Sequence, residues 1–444
     1  MKTGIAILTA MMSMSAASYG QATPTAVASG GSALSPSQGA SVTDGAVHYS
    51  LSASEIIQHG LYTSSTTDYT TSFSGSAGYI SSSQNRPFSL LYTGGLLVTS
   101  YSGQRIQTFQ NAALTQQLVT RHWIFGVSDS VSYLPQSPTT GYSGIAGVGD
   151  LGTLVGPATG PAGGILTGYG KRLSNGLSGT IERKLGASTS VSGTGNWDIL
   201  RFLDGVGLDT TSVGGTAALN RRLDARNTVS VNASYSIFTY GTYYGDVSNA
   251  YGLNGLSFQS RGINLSYQRL LTRSLSMNLS AGPQSITSSN KAVAPSRLTV
   301  SSTASLFYTR KVTSAALSFI RGANGGSGVQ QGTIANVVGA SLMREFGSLW
   351  QATATLGYSH SEGLIQSPTI NAALGIRGTY NSVYGGVQVT RALGRHASCY
   401  ASYTIENQSN SLTSAAVPNV FNGTANIIGI GITYAPRSTR LGQF

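Results

Sequence analysis

Groups able to do covalent chemistry are few in this chain. His360 stands between Ser359 and Ser361 and beside Glu362, a hydroxyl, imidazole and carboxylate together, the residue types of nucleophilic hydrolysis. Serine is so abundant here that such adjacency arises by chance. The remaining histidines, His48, His59, His122 and His396, form no HxxxH or other metal-ligand spacing, and Cys399 is the single cysteine, so neither a metal site nor a disulfide framework is expected. Gly147-Val148-Gly149-Asp150-Leu151-Gly152 matches a GxGxxG string, but a dinucleotide site needs a strand before it, a helix after it and a βαβ unit around it. A Gly/Pro-rich stretch supplies none of these. No cofactor is expected, and the sequence points away from an enzyme.

The elements that would have to position any site repeat a single pattern. An alternating segment ends in an arginine, a tight turn with an apolar residue follows, and another alternating segment begins. The marks are Arg183-Lys184-Leu185-Gly186, Arg221-Arg222-Leu223-Asp224, Arg269-Leu270-Leu271-Thr272, Arg310-Lys311-Val312-Thr313, Arg344-Glu345-Phe346-Gly347 and Arg391-Ala392-Leu393-Gly394. Between them, side chains split by parity as in a strand. Val229, Val231, Ala233, Tyr235 and Ile237 oppose Ser230, Asn232, Ser234 and Ser236. Leu275, Met277, Leu279 and Ala281 oppose Ser276, Asn278 and Ser280, and Trp350, Ala352, Ala354, Leu356 and Tyr358 oppose Gln351, Thr353 and Thr355. Such segments of about 10 to 13 residues exceed the usual soluble strand and can cross a bilayer at a tilt. The rhythm of short turns at one end and long loops at the other predicts an all-β, antiparallel up-and-down transmembrane barrel.

Composition fits a wall in lipid. Charged residues make up 9 % of the chain, against 57 glycines and 23 tyrosines, whereas a soluble surface carries about a quarter charged residues. Met1-Lys2, the apolar run Gly4 to Met14 and the small residues around Ser18-Tyr19-Gly20 predict a signal peptide over 1–20 and export. No later segment is long and apolar enough for a spanning helix, so a bacterial outer membrane is the expected destination. Residues 21–45 read as a flexible periplasmic leader and 46–444 as the barrel, interrupted by a long loop over 135–175. Strands number about 17, or 18 with the weak segment Val47 to Ile57, and the even-number preference gives 16 to 18, enough for an aqueous lumen.

Near the C-terminus Ile428, Ile430, Ile432 and Tyr434 alternate, and the last residue is Phe444. In these features residues 46 to 444 resemble the porin-like outer-membrane barrels of Gram-negative bacteria. The resemblance implies a terminal strand whose last aromatic is read by the barrel-assembly machinery. Pro436 and a basic tail separate the alternating strand from Phe444, so Phe444 and Tyr434 compete for that role.

The net charge of +12 falls largely on the turn arginines. Leu265, Tyr267, Arg269 and Leu306, Tyr308, Arg310 share parity, so Arg183, Arg221, Arg269, Arg310, Arg344 and Arg391 are expected at the periplasmic interface. There their stems follow the apolar surface behind an aromatic girdle, or they simply keep the turns in water. Charge spread around a ring is not the patch of a nucleic-acid binder. Arg201, Arg261, Arg321 and Arg377 lie near the opposite rim with lipid-facing parity and are candidate contacts for lipopolysaccharide phosphates. Asp150, Lys171 and Arg172 are candidates in the loop that could enter the pore. Inner faces of Ser, Thr, Asn and Gln lack the charge rings of ion-selective pores. The expected function is a porin-type channel for small hydrophilic, mainly neutral solutes, with a polysaccharide export channel or a plugged structural or surface-display barrel as the rivals.

Overall fold

The computed structural model describes residues 45–60, 67–81, 83, 85–100, 106–134, 171–203, 208–241, 255–325, 331–365, 378–410, 422–436 and 439–440. Their alternation produces eighteen long strands: β1 (Ala46–His59), β2 (Thr67–Ile80), β3 (Phe88–Thr99), β4 (Ile106–Val119), β5 (Trp123–Leu134), β6 (Arg172–Lys184), β7 (Thr189–Phe202), β8 (Thr210–Arg222) and β9 (Asn227–Tyr240) in the first half. The second half holds β10 (Ser257–Leu270), β11 (Leu275–Ser288), β12 (Arg297–Arg310), β13 (Thr313–Asn324), β14 (Thr333–Phe346), β15 (Trp350–Gly363), β16 (Thr379–Ala392), β17 (Ala397–Asn410) and β18 (Gly423–Tyr434), with a two-residue β19 (Thr439–Arg440). Each long strand pairs antiparallel with its neighbours in sequence, and β1 pairs with both β2 and β18. The sheet is therefore a closed barrel, and the weak Val47 to Ile57 segment is the strand that closes it. The expected loop over 135–175 is shorter at its far end, because Arg172 to Asn175 already belong to β6. Residues 1–44, which hold the expected signal peptide and most of the leader, lie outside the described residues.

Closure involves one irregularity. Leu51 faces Tyr434 and Ala53 faces Ile432, but Val47 faces Thr439 and Ala46 faces Arg440, so the C-terminal strand gains one residue across Pro436. Proline cannot donate to a ladder and sits where a bulge absorbs it. Tyr434 is thus the last residue of the regular strand, and pairing resumes at Thr439. Phe444 lies outside the described residues.

The two faces follow the parity of the sequence. Outside, Leu51, Ile263, Leu265, Leu356 and Ile430 stand more than half exposed, which a soluble surface would not tolerate but hydrocarbon requires. Inside, hydroxyls and amides of directly paired residues bond sideways: Ser50 to Ser76 at 2.7 Å, Ser128 to Ser178 at 2.7 Å and Ser266 to Ser280 at 2.9 Å. Ser52 bonds Ser74 in the same manner. Each such cross-strand pair is worth about 0.2–1 kcal/mol, and the pairs satisfy hydroxyls that would otherwise be stranded in the wall.

Turn chemistry closes the short end. In the β8–β9 turn the Asp224 carboxylate accepts from the amides of Arg226 (2.6 Å) and Asn227 (2.8 Å) and from the Asn227 side chain (2.6 Å). The Asn227 side-chain bond, then the Arg226 amide, hold the Asp224 carboxyl below the ordinary carboxylate range. A lowered folded-state value means this turn is favoured above the usual carboxylate pKa and loses that support as pH falls through the lowered one. Gly347, with φ of 66°, makes the tight β14–β15 turn in a conformation that side-chain-bearing residues avoid.

With each of the eighteen long strands paired on both sides in a closed sheet, the protein is expected to keep a compact, fast-migrating form in SDS until boiled. Identical mobility of boiled and unboiled samples, with a helical circular-dichroism spectrum, would contradict the closed wall.

Candidate functional site

Two rims and a lumen are the places where this barrel can meet other molecules. At the short-turn rim the expected ring is present, since Arg183, Arg221, Arg269, Arg310, Arg344 and Arg391 all take the outward parity of their strands. The Arg183 guanidinium lies 5.1 Å from the ring of Trp123 on the paired strand, and Arg391 lies 5.1 Å from that of Trp350. Arg344 stacks at 5.3 Å on Phe346. Such contacts are worth about 0.5–1 kcal/mol when exposed, and they keep the charge at the level of an aromatic girdle. The Tyr267 hydroxyl, two residues inside Arg269, donates to Asn227 Oδ1 at 2.6 Å.

The lumen is polar but not uniformly so. Gln284 donates to Ser260 Oγ at 2.8 Å, Ser301 to Asn264 at 2.6 Å and Asn232 to Ser266 at 2.6 Å, an inner wall of hydroxyls and amides. Charged side chains on this wall include Asp68 on β2, Arg172 on β6, Asp198 on β7, Arg297 on β12 and Glu406 on β17 toward the long-connection end, with Glu182 on β6 and Glu345 on β14 nearer the short turns, and they complete no ring among the described residues. Asp198 accepts from Asn196 (2.8 Å) and Ser212 (3.0 Å), while Glu406 faces Tyr384 and leaves Oε1 without a hydrogen-bond partner among the described residues. Tyr384 lies flat across Gly357 of β15, where an added Cβ would come within 2.0 Å of the ring. Only glycine admits that ring against the wall.

At the long-connection end the strands do not simply stop. Phe238 and Tyr240 of β9, Phe258 of β10 and Ile286 of β11 point inward, and they bury one another together with Leu208, Leu256, Val293, Ala294, Ala323, Ile334, Leu364 and Ile365. The Tyr240 and Phe258 rings meet edge to face, 6.0 Å apart at 76°. The ladder between β12 and β13 runs only as far as Ser302 and Arg321. Beyond it β13 leans into the lumen, where the Ala323 amide donates to Gln284 Oε1 on β11 at 3.4 Å, past the intervening strand. β15 follows, and the Glu362 carboxylate takes a bidentate pair of hydrogen bonds from Arg297 of β12 at 3.0 and 3.2 Å. The tips of β13 to β15 are folded inside the mouth, and an aromatic and aliphatic cluster seals them there.

The sequence candidates distribute as follows. His360 and its serines do not assemble: Ser359 and Ser361 are buried on the inner face, whereas His360 points outward with Nδ1 2.7 Å from Asn381 Oδ1. Glu362 is occupied by Arg297, so no nucleophile and base meet at this position. Arg172 is an inward residue at the root of β6 and not part of the loop, with Lys171 just before it. Asp150, the Gly147 to Gly152 string and the loop over 135–170 lie outside the described residues, as does Arg377. Arg201, Arg261 and Arg321 take outward parity. Arg201 is engaged by Asp209 (3.7 Å) and Thr211 (3.2 Å), Arg261 lies over Tyr235 (5.5 Å), and Arg321 donates to Asn336 Oδ1 at 2.6 Å. No group of three His, Cys, Asp or Glu side chains able to hold a metal occurs among the described residues. The apolar cluster of the mouth was missed in the sequence, although Phe238 and Tyr240 continue the inward parity of Ser230 to Ser236.

This architecture is that of a transmembrane β-barrel of eighteen strands with an apolar outside and a polar inside. No protein-family model matches the chain and no curated protein matches it. Among solved structures it is similar to OprD, an outer-membrane protein of Pseudomonas aeruginosa, at 10% identity and a TM-score of 0.39, over 90% of this chain and 98% of that one. It is also similar to OccK2 (OpdF) of the same organism, at 11% identity and a TM-score of 0.43, over 89% and 98% of the two chains. That protein in complex with glucuronate gives 11% identity and a TM-score of 0.42, over 88% and 97%.

Proposed function

We propose that this protein is a passive outer-membrane channel for small hydrophilic, mainly neutral solutes. The observation that carries the proposal is the inner wall, lined mainly by hydroxyls and amides below the apolar cluster of the mouth, in a barrel of eighteen strands, a size that encloses a lumen wider than its own side chains fill. Scattered charges without a ring make selectivity between small ions weak. The folded-in tips of β13 to β15 favour a constricted mouth over an open one, and the same feature would suit a plugged structural barrel. Single-channel recording of the purified protein in a planar bilayer separates the two. A channel gives stable conductance steps with reversal potentials near zero in a salt gradient, together with liposome swelling in neutral sugars. Absence of conductance in properly folded protein would leave the plugged barrel in its place.

A further inference from the structure

The outer face carries a polar row that no channel role uses. Arg321 of β13 is paired with Asn336 of β14, Asn336 with His360 of β15, His360 with Asn381 of β16 and Asn381 with Ser409 of β17. All five have outward parity, so they form one belt across five adjacent strands, about 19 Å long at the usual strand spacing. Arg321 donates to Asn336 Oδ1 at 2.6 Å, and Asn381 Oδ1 receives both His360 Nδ1 at 2.7 Å and the Tyr358 hydroxyl at 3.3 Å. One step nearer the short-turn end, β13 to β16 present Phe319, Val338, Tyr358 and Val383, the edge of the apolar band, while β17 presents Asn407. The belt therefore lies where hydrocarbon gives way to headgroups, at the long-connection rim.

Its chemistry is one-sided. The belt holds a guanidinium, an imidazole, two carboxamides and a hydroxyl, and no carboxylate. Glu362, two residues beyond His360, shares its parity but lies where the strand tip has folded into the mouth, and its carboxylate is held there by the inner-wall Arg297. Among the described residues Arg321 meets no carboxylate, unlike Arg201, which Asp209 engages. We propose that this belt binds a phosphorylated glycolipid of the outer leaflet, with a phosphate on Arg321, sugar hydroxyls along Asn336, His360 and Asn381, and acyl chains on the apolar surface beneath. A guanidinium fork matches phosphate oxygens in a way an ammonium does not. The fixed row of amides offers both donors and acceptors to sugar hydroxyls, and the apolar surface directly below selects a lipid over a free anion.

The inference rests on the outer-membrane placement of the barrel but not on conduction, so lipid binding and conductance fail or succeed separately. The test uses the full chain, folded in detergent, with lipid A carrying both phosphates and with dephosphorylated lipid A as probes, read by native mass spectrometry. Replacing Arg321→Gln and His360→Gln together is expected to weaken retention of the phosphorylated lipid about tenfold, the size of one lost charge-assisted hydrogen bond. Arg321→Lys is expected to fall between that variant and the parent, and Arg391→Gln at the opposite rim to change nothing. If the double variant does not fold, the deficit of Arg321→Lys decides. Equal retention by parent and Arg321 variants would overturn the proposal, as would equal binding of the dephosphorylated lipid, an equal deficit from Arg391→Gln, or inorganic phosphate displacing the lipid completely.

Discussion

Replacing Tyr240 and Phe258 together by alanine is expected to roughly double single-channel conductance, because each aromatic side chain buries about 150–250 Å² and the two sit in the cluster that holds the strand tips inside the mouth. The two rings are almost fully buried, and they hold Leu364 and Gly332 in place: a Cβ at Gly332 would lie 2.7 Å from Leu364 Cδ1 and 3.2 Å from Tyr240 Oη. Without the rings, the tips of β13 to β15 lose the aromatic part of the cluster and lean more heavily on anchors such as the Arg297–Glu362 bonds and the Ala323 amide contact. A second change, Glu362→Gln, on that background is expected to increase conductance further. Tyr240→Phe, which preserves the bulk, should leave conductance at the parental level. The wall itself is hydrogen-bonded independently of the cluster, so heat-modifiable mobility in SDS should survive in every variant. Unchanged conductance in the double alanine variant would show that the cluster lies beside the solute path and not across it.

The second large effect concerns depth in the membrane. Ile263 stands at the middle of β10 and is 60 % exposed on the outer face, while Arg269 occupies the same face six residues nearer the short turn. Ile263→Arg is expected to destabilise the folded barrel in bilayers by about 2–4 kcal/mol, against about 0–1 kcal/mol for an arginine near the interface. Arg269→Leu should accordingly shift stability by less than about 1 kcal/mol. Reversible urea unfolding in large lipid vesicles measures both. Equal costs at the two positions would mean that Ile263 does not face hydrocarbon, which would move the apolar band away from the outer wall. Asn264, next to Ile263 but inward, accepts a hydrogen bond from Ser301 and supplies the contrast. Asn264→Ala should change stability through that single bond, by about 1 kcal/mol.

Much of the wall was legible because strand parity is a local property. Val231 and Ser230 lie on opposite faces whatever the rest of the chain does, and the same holds for Leu265 and Ser266, so inside and outside followed from alternation alone. The turn arginines were readable for the same reason. Arg269 follows Leu265 and Tyr267 in parity, and its closeness to the turn sets its depth. Strand count stood at 16 to 18, with Val47 to Ile57 the weak segment, since it mixes Glu55 and Ser54 with its apolar residues. Only its pairing with β18 on one side and β2 on the other shows it to be part of the wall.

What depended on the tertiary structure is everything joining residues far apart in the chain. The inward parity of Phe238 and Tyr240 could be read, but not their burial against Leu364 and Ile365, more than a hundred positions away. Nor could the departure of β13 from β12 beyond Arg321, since nothing local in Phe319-Ile320-Arg321-Gly322-Ala323 marks where the ladder stops. Ser359, His360, Ser361 and Glu362 are adjacent in sequence and looked like one constellation. Pairing sends the serines inward and His360 to a row with Asn336 and Asn381, while Arg297 claims Glu362 from three strands away. Alternation along one strand therefore specified which side each residue takes, a matter of period 2 and local geometry. Register between strands and the inward fold of their tips decided which residues meet, because those contacts form only when distant segments are brought together in the closed barrel.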